Sequence, residues 1–388
     1  MAAELDTMEP GNIGAERGDI GGGGDTGSGA QDPLIGVKAL TGVYVGINRK
    51  SWARKRIRGD DGRSNVYHVM SRTCGGEIFL DETEREALVL VMRKMARFCG
   101  IKILTYCIMG NHFHALVRVP HRGTWLEERF GPPGAAVGEE KLFEHMRLLY
   151  SKAHIAAVKA DFAKLRTMGG GMELLVQERV TAMKERMCDV SAWMQEVKVR
   201  FSRWYNRRHE RQGTLWMGKF KSVLVERKFY TGTKSNEREP DVARVMAAYI
   251  DLNPVRAKLV EGAEDWRWNG WSAALAGDKE AIAGLCDVLH CTLKEWAAWG
   301  KRVYAEMVSE RRSDIERLAA KACESDVGAR RTLLMKIPEF SRSLVIGEFE
   351  DQAAGGGGND GRTRRSRMVQ VQGLTVRMVA GSARQSPR

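Results

Sequence analysis

The chain has 388 residues, of which 43% are hydrophobic, and it carries a formal net charge of +13. This length predicts one large or two modest domains with a sizeable core, and the charge favours a polyanionic partner such as nucleic acid. A basic surface also serves solubility, so charge alone does not choose the partner. No apolar run approaches the ~20 residues of a membrane span, so no membrane protein is expected.

The cysteines and the N-terminal residues predict a cytoplasmic protein. The seven cysteines are odd in number and contain no Cys-x-x-Cys pair. This usage argues against a disulfide framework and against a cysteine-based zinc site, and it is typical of a reducing compartment. The first residues are acidic and lack the apolar segment of a secretory signal.

The N-terminal third predicts a disordered tail followed by alternating strands and a helix. Residues 1–34 are rich in glycine, aspartate and alanine and are expected to be disordered. Residues 65–72 alternate as a strand does, and Asp81 begins a capping box that predicts a helix to about Phe98. Residues 101–108 predict a second strand.

The next strand, expected from His112 to the proline at 120, carries a pair of histidines. His112 and His114 share one face of this strand, and Phe113 lies on the other. Two imidazoles so placed can bind one metal ion, although they can also be ordinary half-buried histidines. His68, on the first strand, either approaches the same metal or is a core or phosphate-contacting histidine.

The order strand, helix, strand, strand predicts an α+β fold. It is the first part of a ferredoxin-like antiparallel sheet, with helices on one face. Residues 122–137 are rich in glycine and proline and predict a loop. Residues 139–205 are helical and charged in pattern, with three glycines at 169–171. We therefore expect a helical insertion at about 122–200.

The segment 198–228 mixes cations with aromatic residues. Cations neutralise phosphates and flat rings stack on unpaired bases, so this mixture suits single-stranded or distorted nucleic acid. The alternative is a solvated amphipathic helix followed by a core strand, since residues 215–225 predict the last strand of the sheet. The residues expected to contact DNA are Arg203, Arg207, Arg208, Trp216, Lys219, Phe220 and Lys221.

A helix beginning near Asp241 carries Tyr249 and Asn253 on one face, and Pro254 is expected to end or kink it. Three tryptophans at 266, 268 and 271 are expected to pack onto the sheet domain. A helical extension is expected at 276–350, and a disordered basic tail that adds DNA affinity at 351–388.

Four motifs then occur in one order: YHVMSR at 67–72, YCIMGNHFHALV at 106–117, WYNRRHERQGTLWMGKFKSVLVE at 204–226 and AAYIDLNPVRAKLV at 247–260. Together they resemble the single-tyrosine transposases of the His-hydrophobic-His (HUH) endonuclease superfamily, in particular the branch of REP-associated tyrosine transposases, which are related to insertion-sequence transposases. The resemblance covers about residues 60–275. Gly110 stands where the family usually has proline, and Gly213–Phe220 lacks a histidine and a glutamine of the family pattern.

The resemblance implies a transposase that nicks and rejoins single-stranded or hairpin DNA. His112 and His114 would hold Mg²⁺ or Mn²⁺, Tyr249 would be the nucleophile, and Asn253 would be either a third metal ligand or a helix cap. Attack would leave a 5′-phosphotyrosine and a free 3′-OH, so that rejoining needs no ATP. The absence of a Gly-x-x-x-x-Gly-Lys-Ser/Thr loop agrees with a reaction that uses no nucleotide cofactor.

Two other functions fit the same sequence. One is a domesticated regulatory protein that binds hairpin DNA without cleaving it. The other is a metal-dependent phosphodiesterase that uses water and forms no covalent intermediate. The sequence is compatible with a monomer or a homodimer.

Overall fold

The computed structural model describes residues 62–132, 136–225, 242–309 and 311–313, together with the backbone of three strands between 343 and 380. Within these ranges, residues 129–186 form one compact unit and the remainder forms another. The expected tail at 1–34 and residues 351–365 of the expected tail at 351–388 lie outside the described residues.

The larger unit is built on an antiparallel sheet whose four strands run in the order β2-β3-β1-β4. The strands are β1 Asn65–Arg72, β2 Lys102–Ile108, β3 His112–Val119 and β4 Lys221–Val225. The α+β class is therefore confirmed. Strand β1 pairs with β3 on one side and with β4 on the other.

Helices of the larger unit cover both faces of the sheet. They are α1 Glu82–Cys99, α2 Arg122–Phe130, α6 Val190–Arg208, α7 Val242–Asp251, α8 Asn253–Arg256, α9 Gly270–Leu275, α10 Lys279–Leu289, α11 Leu293–Glu295 and α12 Lys301–Met307, the last two joined by a π-helical turn at Trp296–Gly300. The last two residues of α2 belong to the smaller unit, which also contains α3 Ala136–Met146, α4 Lys152–Thr167 and α5 Met172–Glu185.

The expectation that helices lie on one face of the sheet is wrong. Phe113 contacts Trp216, with ring centroids 5.6 Å apart, and Trp216 in turn contacts Phe201 of α6. Tyr249 of α7 contacts His114, which faces the other way along the same strand. The side chains of residues 113–117 of β3 are buried on both faces, so each face has a covering layer.

Local signals explain the bounds of the first elements. Asp81 caps α1 by accepting hydrogen bonds from the backbone N–H groups of Thr83 and Glu84. Gly100, with a φ of 67°, adopts the left-handed conformation that ends the helix. The helix and the two strands that flank it agree with the prediction to within one or two residues.

Two other local expectations are wrong. Residues 122–130 form a helix rather than a loop, because the glycine- and proline-rich run begins only at Gly131. The last central strand begins at Lys221 rather than at 215. Gly218 has a φ of 62° and interrupts the extended backbone, and Trp216 makes only an isolated bridge to Thr73.

The segment after α8 covers the edge of β2. The indole of Trp266 donates to the backbone oxygen of Ile108, and the N–H of Ile108 donates to the backbone oxygen of Trp268. This confirms that the tryptophan segment packs on the sheet unit. Of the helical extension expected at 276–350, helices are described as far as residue 313, and residues 314–342 lie outside the described residues.

The sheet continues beyond β4 through three C-terminal strands. These are β5 Ser343–Ile346, β6 Ser366–Val371 and β7 Leu374–Ala380. Strand β5 pairs in parallel with β4, and β7 pairs with β5 and β6. Strands β6 and β7 lie where a disordered tail is expected. The glycines and arginines around them obscure the alternation of their apolar residues in the sequence.

The smaller unit, at 129–186, is narrower than the insertion expected at about 122–200. Helix α6 lies in the larger unit, where the indole of Trp193 donates to the backbone oxygen of Met92 in α1. Inside the smaller unit, Phe143 of α3 packs against Phe162 of α4. Three consecutive glycines with positive φ, Gly169 to Gly171, form the turn between α4 and α5.

One buried carboxylate joins α7 to the rest of the larger unit. Asp251 is fully buried and accepts hydrogen bonds from the hydroxyls of Thr105 in β2 and Tyr304 in α12, at 2.8 and 2.6 Å, and from the backbone N–H of Gly270. Burial raises the pKa of Asp251 to about 7, and these hydrogen bonds act in the opposite direction.

We expect Tyr304→Phe and Thr105→Val each to lower the free energy of unfolding by about 1–3 kcal/mol, since each leaves a buried carboxylate short of a donor. Urea unfolding at pH 8, where Asp251 is ionised, should show a larger loss than at pH 6. Thr181→Val, at an exposed position of α5, is the matched control. Equal stability of wild type and both variants at pH 8 would contradict this role of Asp251.

Candidate functional site

The sheet register places several site residues on one face. Met70 lies opposite His114 in β3 and opposite Lys221 in β4, and Arg72 lies opposite His112. Directly paired residues of antiparallel strands point to the same side. The face that carries both histidines therefore also carries Arg72 and Lys221.

The two predicted histidines lie side by side on β3. The rings of His112 and His114 are nearly perpendicular, with centroids 5.2 Å apart. Two imidazoles that bind one ion at nitrogen–metal distances of about 2.1 Å have centroids about 5 Å apart, so this spacing suits a shared ion.

Hydrogen bonds engage one ring nitrogen of each histidine. Nδ1 of His112 lies 2.7 Å from Oδ1 of Asn111, and Nδ1 of His114 lies 2.8 Å from Nε2 of His68. When both Nδ1 atoms carry the proton, both Nε2 atoms offer a lone pair. A partner on the far nitrogen is the usual way in which proteins orient a metal-binding imidazole.

Of the two interpretations of His68, the structure shows a buried histidine that holds His114. Its side chain is 1% exposed, and its ring stacks on that of His114 with centroids 5.1 Å apart. In the tautomer that leaves Nε2 of His114 to a metal, His68 accepts at Nε2 and is protonated at Nδ1. Within the described part of the chain, that Nδ1 has no hydrogen-bond partner.

Burial keeps all three imidazoles neutral at neutral pH. It lowers the pKa of His68 to about 3. It also lowers the pKa of His112 to about 4, helped by the charges of Arg72 and Arg256. Burial holds the pKa of His114 well below its usual value, and the neighbouring His68, His112 and Arg256 lower it further. Only a neutral imidazole can ligate a metal, so the site is preset for that state.

Helix α7 brings Tyr249 to the same place. Its ring meets His68 and His114 edge-on, with centroids 6.0 and 6.1 Å away. The tyrosine is 2% exposed. The structure therefore brings the predicted nucleophile to the histidine pair, in a buried position.

Asn253 caps the end of α7 in this structure. Its Nδ2 donates to the backbone oxygens of Tyr249 and Ile250, and its Oδ1 accepts from Nη1 of Arg256 at 3.2 Å. Pro254 has no N–H with which to donate to Ile250, and the asparagine amide takes that place. The structure thus shows the helix-cap alternative for Asn253, with its oxygen engaged by Arg256.

The predicted DNA-contacting residues do not all lie together. Lys221 is exposed on the histidine face, and Lys219 is exposed nearby in sequence. Arg203, Arg207 and Arg208 belong to α6, the helix on the opposite face, and Arg208 lies 3.5 Å from the buried carboxylate of Glu84.

The two aromatic members of the predicted DNA-contacting set are not exposed rings. Trp216 is 5% exposed, and its indole donates to the backbone oxygen of Lys198. The Trp216 ring packs against Phe113 on the sheet face opposite the histidines. The expectation that Trp216 stacks on unpaired bases is therefore wrong. Phe220 is half-buried.

Two site residues were missed by sequence reasoning. Arg72 lies opposite His112, and the register of β1 and β3 that reveals this cannot be read from either segment alone. Arg256 stacks on Tyr249, with its guanidinium carbon 4.8 Å from the ring centroid. Arg256 follows Tyr249 by seven residues, which is about two helical turns, and this spacing is the sequence signal that could have placed it beside the tyrosine.

No group of three His, Cys, Asp or Glu side chains suited to a metal occurs in residues 62–313 as far as they are described. The histidine pair supplies two neutral imidazoles, so a divalent cation there would need further ligands from outside this pair. No helix in the described ranges is long and apolar enough to cross a membrane.

No protein-family model and no curated protein matches the chain. A solved structure of a REP-associated tyrosine transposase bound to a REP hairpin is similar over 58% of this chain and 85% of that chain, with 14% identity and a TM-score of 0.31. A likeness at this level does not assign the activity of that protein to this chain.

We expect the buried histidines to make stability depend on acid pH. Their pKa is lower in the folded chain than the ordinary value of 6.5, so the unfolded chain takes up more protons as the pH falls. The free energy of unfolding should fall below about pH 6.5 by up to ~1.4 kcal/mol per pH unit for each such histidine.

His68→Gln should make this dependence shallower in urea titrations between pH 7 and 5, whereas His154→Gln, in the smaller unit, should leave the slope unchanged. The same slope in His68→Gln and wild type would show that His68 does not lie buried and neutral.

Proposed function

We propose that the chain is a metal-dependent DNA transposase of the HUH type that nicks and rejoins single-stranded or hairpin DNA through Tyr249. The observation that carries this proposal is the contact of Tyr249 with His114, whose ring lies beside that of His112, although the tyrosine comes from a segment far away in the sequence. The order β2-β3-β1-β4, all antiparallel, is that of a ferredoxin-like sheet, which supports the finer fold assignment.

The residues present fit a divalent cation such as Mg²⁺ or Mn²⁺. His112 and His114 would hold it through Nε2, and their neutral state at physiological pH suits that role. When bound, the cation would polarise the non-bridging oxygens of the scissile phosphate. A phosphate and water would supply the oxygen ligands that the protein pair leaves open. The oxygen of Asn253 accepts a hydrogen bond from Arg256. We therefore propose that the two histidines hold the cation without Asn253.

The chemistry assigned to Tyr249 balances without an energy source. Its oxygen bonds to phosphorus while the bond from phosphorus to the 3′ oxygen breaks. The phenol loses a proton and the departing 3′ oxygen gains one. The product is a 5′-phosphotyrosine and a 3′-OH, and attack by a second 3′-OH reverses these steps on a new strand.

The burial of Tyr249 sets a condition on this mechanism and favours a second candidate function. A strand can reach the 2% exposed ring only if the surrounding chain opens locally. A protein that binds hairpin DNA without cleaving it would have no such requirement. The two functions differ in whether a covalent protein–DNA product forms.

We expect Tyr249→Phe to abolish the covalent adduct while leaving DNA binding unchanged, since it removes only the hydroxyl. The measurement is denaturing electrophoresis after incubation with Mn²⁺ and labelled single strands that contain hairpins. Tyr150→Phe, which removes a hydroxyl in the smaller unit, should form adduct at the wild-type rate.

Other results of this experiment would select another function. Binding without adduct in any metal tested indicates the regulatory protein. Cleaved product without adduct, retained in Tyr249→Phe, indicates a phosphodiesterase that uses water.

We expect Lys221→Glu to weaken single-strand binding more than Lys164→Glu, an equal charge change at an exposed position of α4. Lys221 lies on the histidine face, where the strand would run. Lys221→Ala should also reduce the slope of log affinity against log salt by about 0.7, the value for one phosphate contact on a single strand. Equal effects of the two reversals, measured by fluorescence anisotropy, would place the strand elsewhere.

A further inference from the structure

Arg256 lies against the ring of the proposed nucleophile, Tyr249. Its guanidinium carbon is 4.8 Å from the centre of the Tyr249 ring, and its Nη1 donates to Oδ1 of Asn253. The residue is half-buried, at the end of the short helix α8 that follows the tyrosine helix. Its position is therefore fixed on two sides, by an aromatic ring and by a buried amide.

The ring on which Arg256 stacks also meets the histidine pair. Tyr249 contacts His114 with ring centroids 6.1 Å apart, and His112 lies beside His114 with centroids 5.2 Å apart. The guanidinium therefore lies beside the ring whose hydroxyl would attack the phosphate. The stacking and the hydrogen bond to Asn253 establish this position.

We propose that Arg256 binds the scissile phosphate and stabilises the charge that develops on its oxygens during attack by Tyr249. This inference rests on the proposed function. A guanidinium presents donors in a planar fork that matches two phosphate oxygens, whereas its face stacks on aromatic rings. Stacking on Tyr249 orients the edge of the fork, and Asn253 fixes its rotation. Arg256 is then a catalytic residue, and Asn253 is a positioning residue that acts through it.

A purely structural role makes a different prediction. If Arg256 only secured Asn253 and the end of α7, its loss would slow the reaction whether or not the scissile phosphate is charged. If it neutralises the phosphate, its loss should matter only for a charged phosphate. A methylphosphonate, in which one charged oxygen is replaced by a methyl group, separates the two roles.

The experiment uses the full chain with Mn²⁺ and a single-stranded hairpin substrate. The nick made by the wild type is mapped first, and a second substrate then carries one methylphosphonate at that bond. Adduct formation is timed at saturating DNA for the wild type, Arg256→Ala and Arg256→Lys. Arg93→Ala, which removes an arginine stacked on Tyr106 away from the site, is the matched control.

On the phosphodiester, Arg256→Ala should be about 10²–10³-fold slower than the wild type, comparable to losing a donor to a developing oxyanion. Arg256→Lys, which keeps the charge but not the fork, should be intermediate. On the methylphosphonate, the ratio of wild type to Arg256→Ala should approach one. Arg93→Ala should match the wild type on both substrates.

Two results would overturn the inference. One is an unchanged rate of Arg256→Ala on the phosphodiester, and the other is the same slowing on both substrates, which identifies a structural role. Mn²⁺ binding by each variant, measured by calorimetry, shows whether the histidine pair is intact. Failure of the wild type to form any adduct would instead contradict the proposed function itself.

Discussion

The hydrogen bonds that the carboxylate of Asp251 accepts hold the helix of Tyr249 in place beside the sheet. Tyr249 precedes Asp251 by two residues on α7, so whatever fixes Asp251 fixes the direction of the tyrosine. The donors come from β2 and from α12. The C-terminal helices therefore do more than enlarge the core, because one of them secures the helix of the proposed nucleophile against the sheet. A buried carboxylate is costly without donors, which makes this attachment specific.

The histidine pair depends on a second buried contact. Nδ1 of His114 and Nε2 of His68 are 2.8 Å apart in a site from which burial excludes charge. In the tautomer in which His68 accepts this hydrogen bond, His114 carries its proton at Nδ1 and has a lone pair at Nε2. Strand β3 thus carries two neutral imidazoles, and the neighbouring strand β1 carries His68, which contacts one of them. Two cationic side chains lie close by, Arg256 against Tyr249 and Lys221 on the histidine face.

The sequence predicted the frame of this site better than its details. Alternation in β1 and β3 and the Asp81 cap placed the first elements, because these are local signals. The role of Asn253 was left open because an asparagine before a proline can cap a helix or ligate a metal, and only its contacts distinguish the two. Trp216 was misassigned because rings among cations look alike whether they stack on bases or fill a core. The partnership of Arg72 with His112 depends on strand pairing, which neither segment encodes alone.

The central proposal is that the hydroxyl oxygen of Tyr249, which lies against the histidine pair, forms the covalent bond to DNA. The most direct test is tandem mass spectrometry of the protease- and nuclease-digested product formed with Mn²⁺ and a single-stranded hairpin. The account predicts a nucleotide 5′-phosphate on the peptide that contains Tyr249 and on no other. Attachment to a different tyrosine, or a nicked strand with no modified peptide, would contradict it.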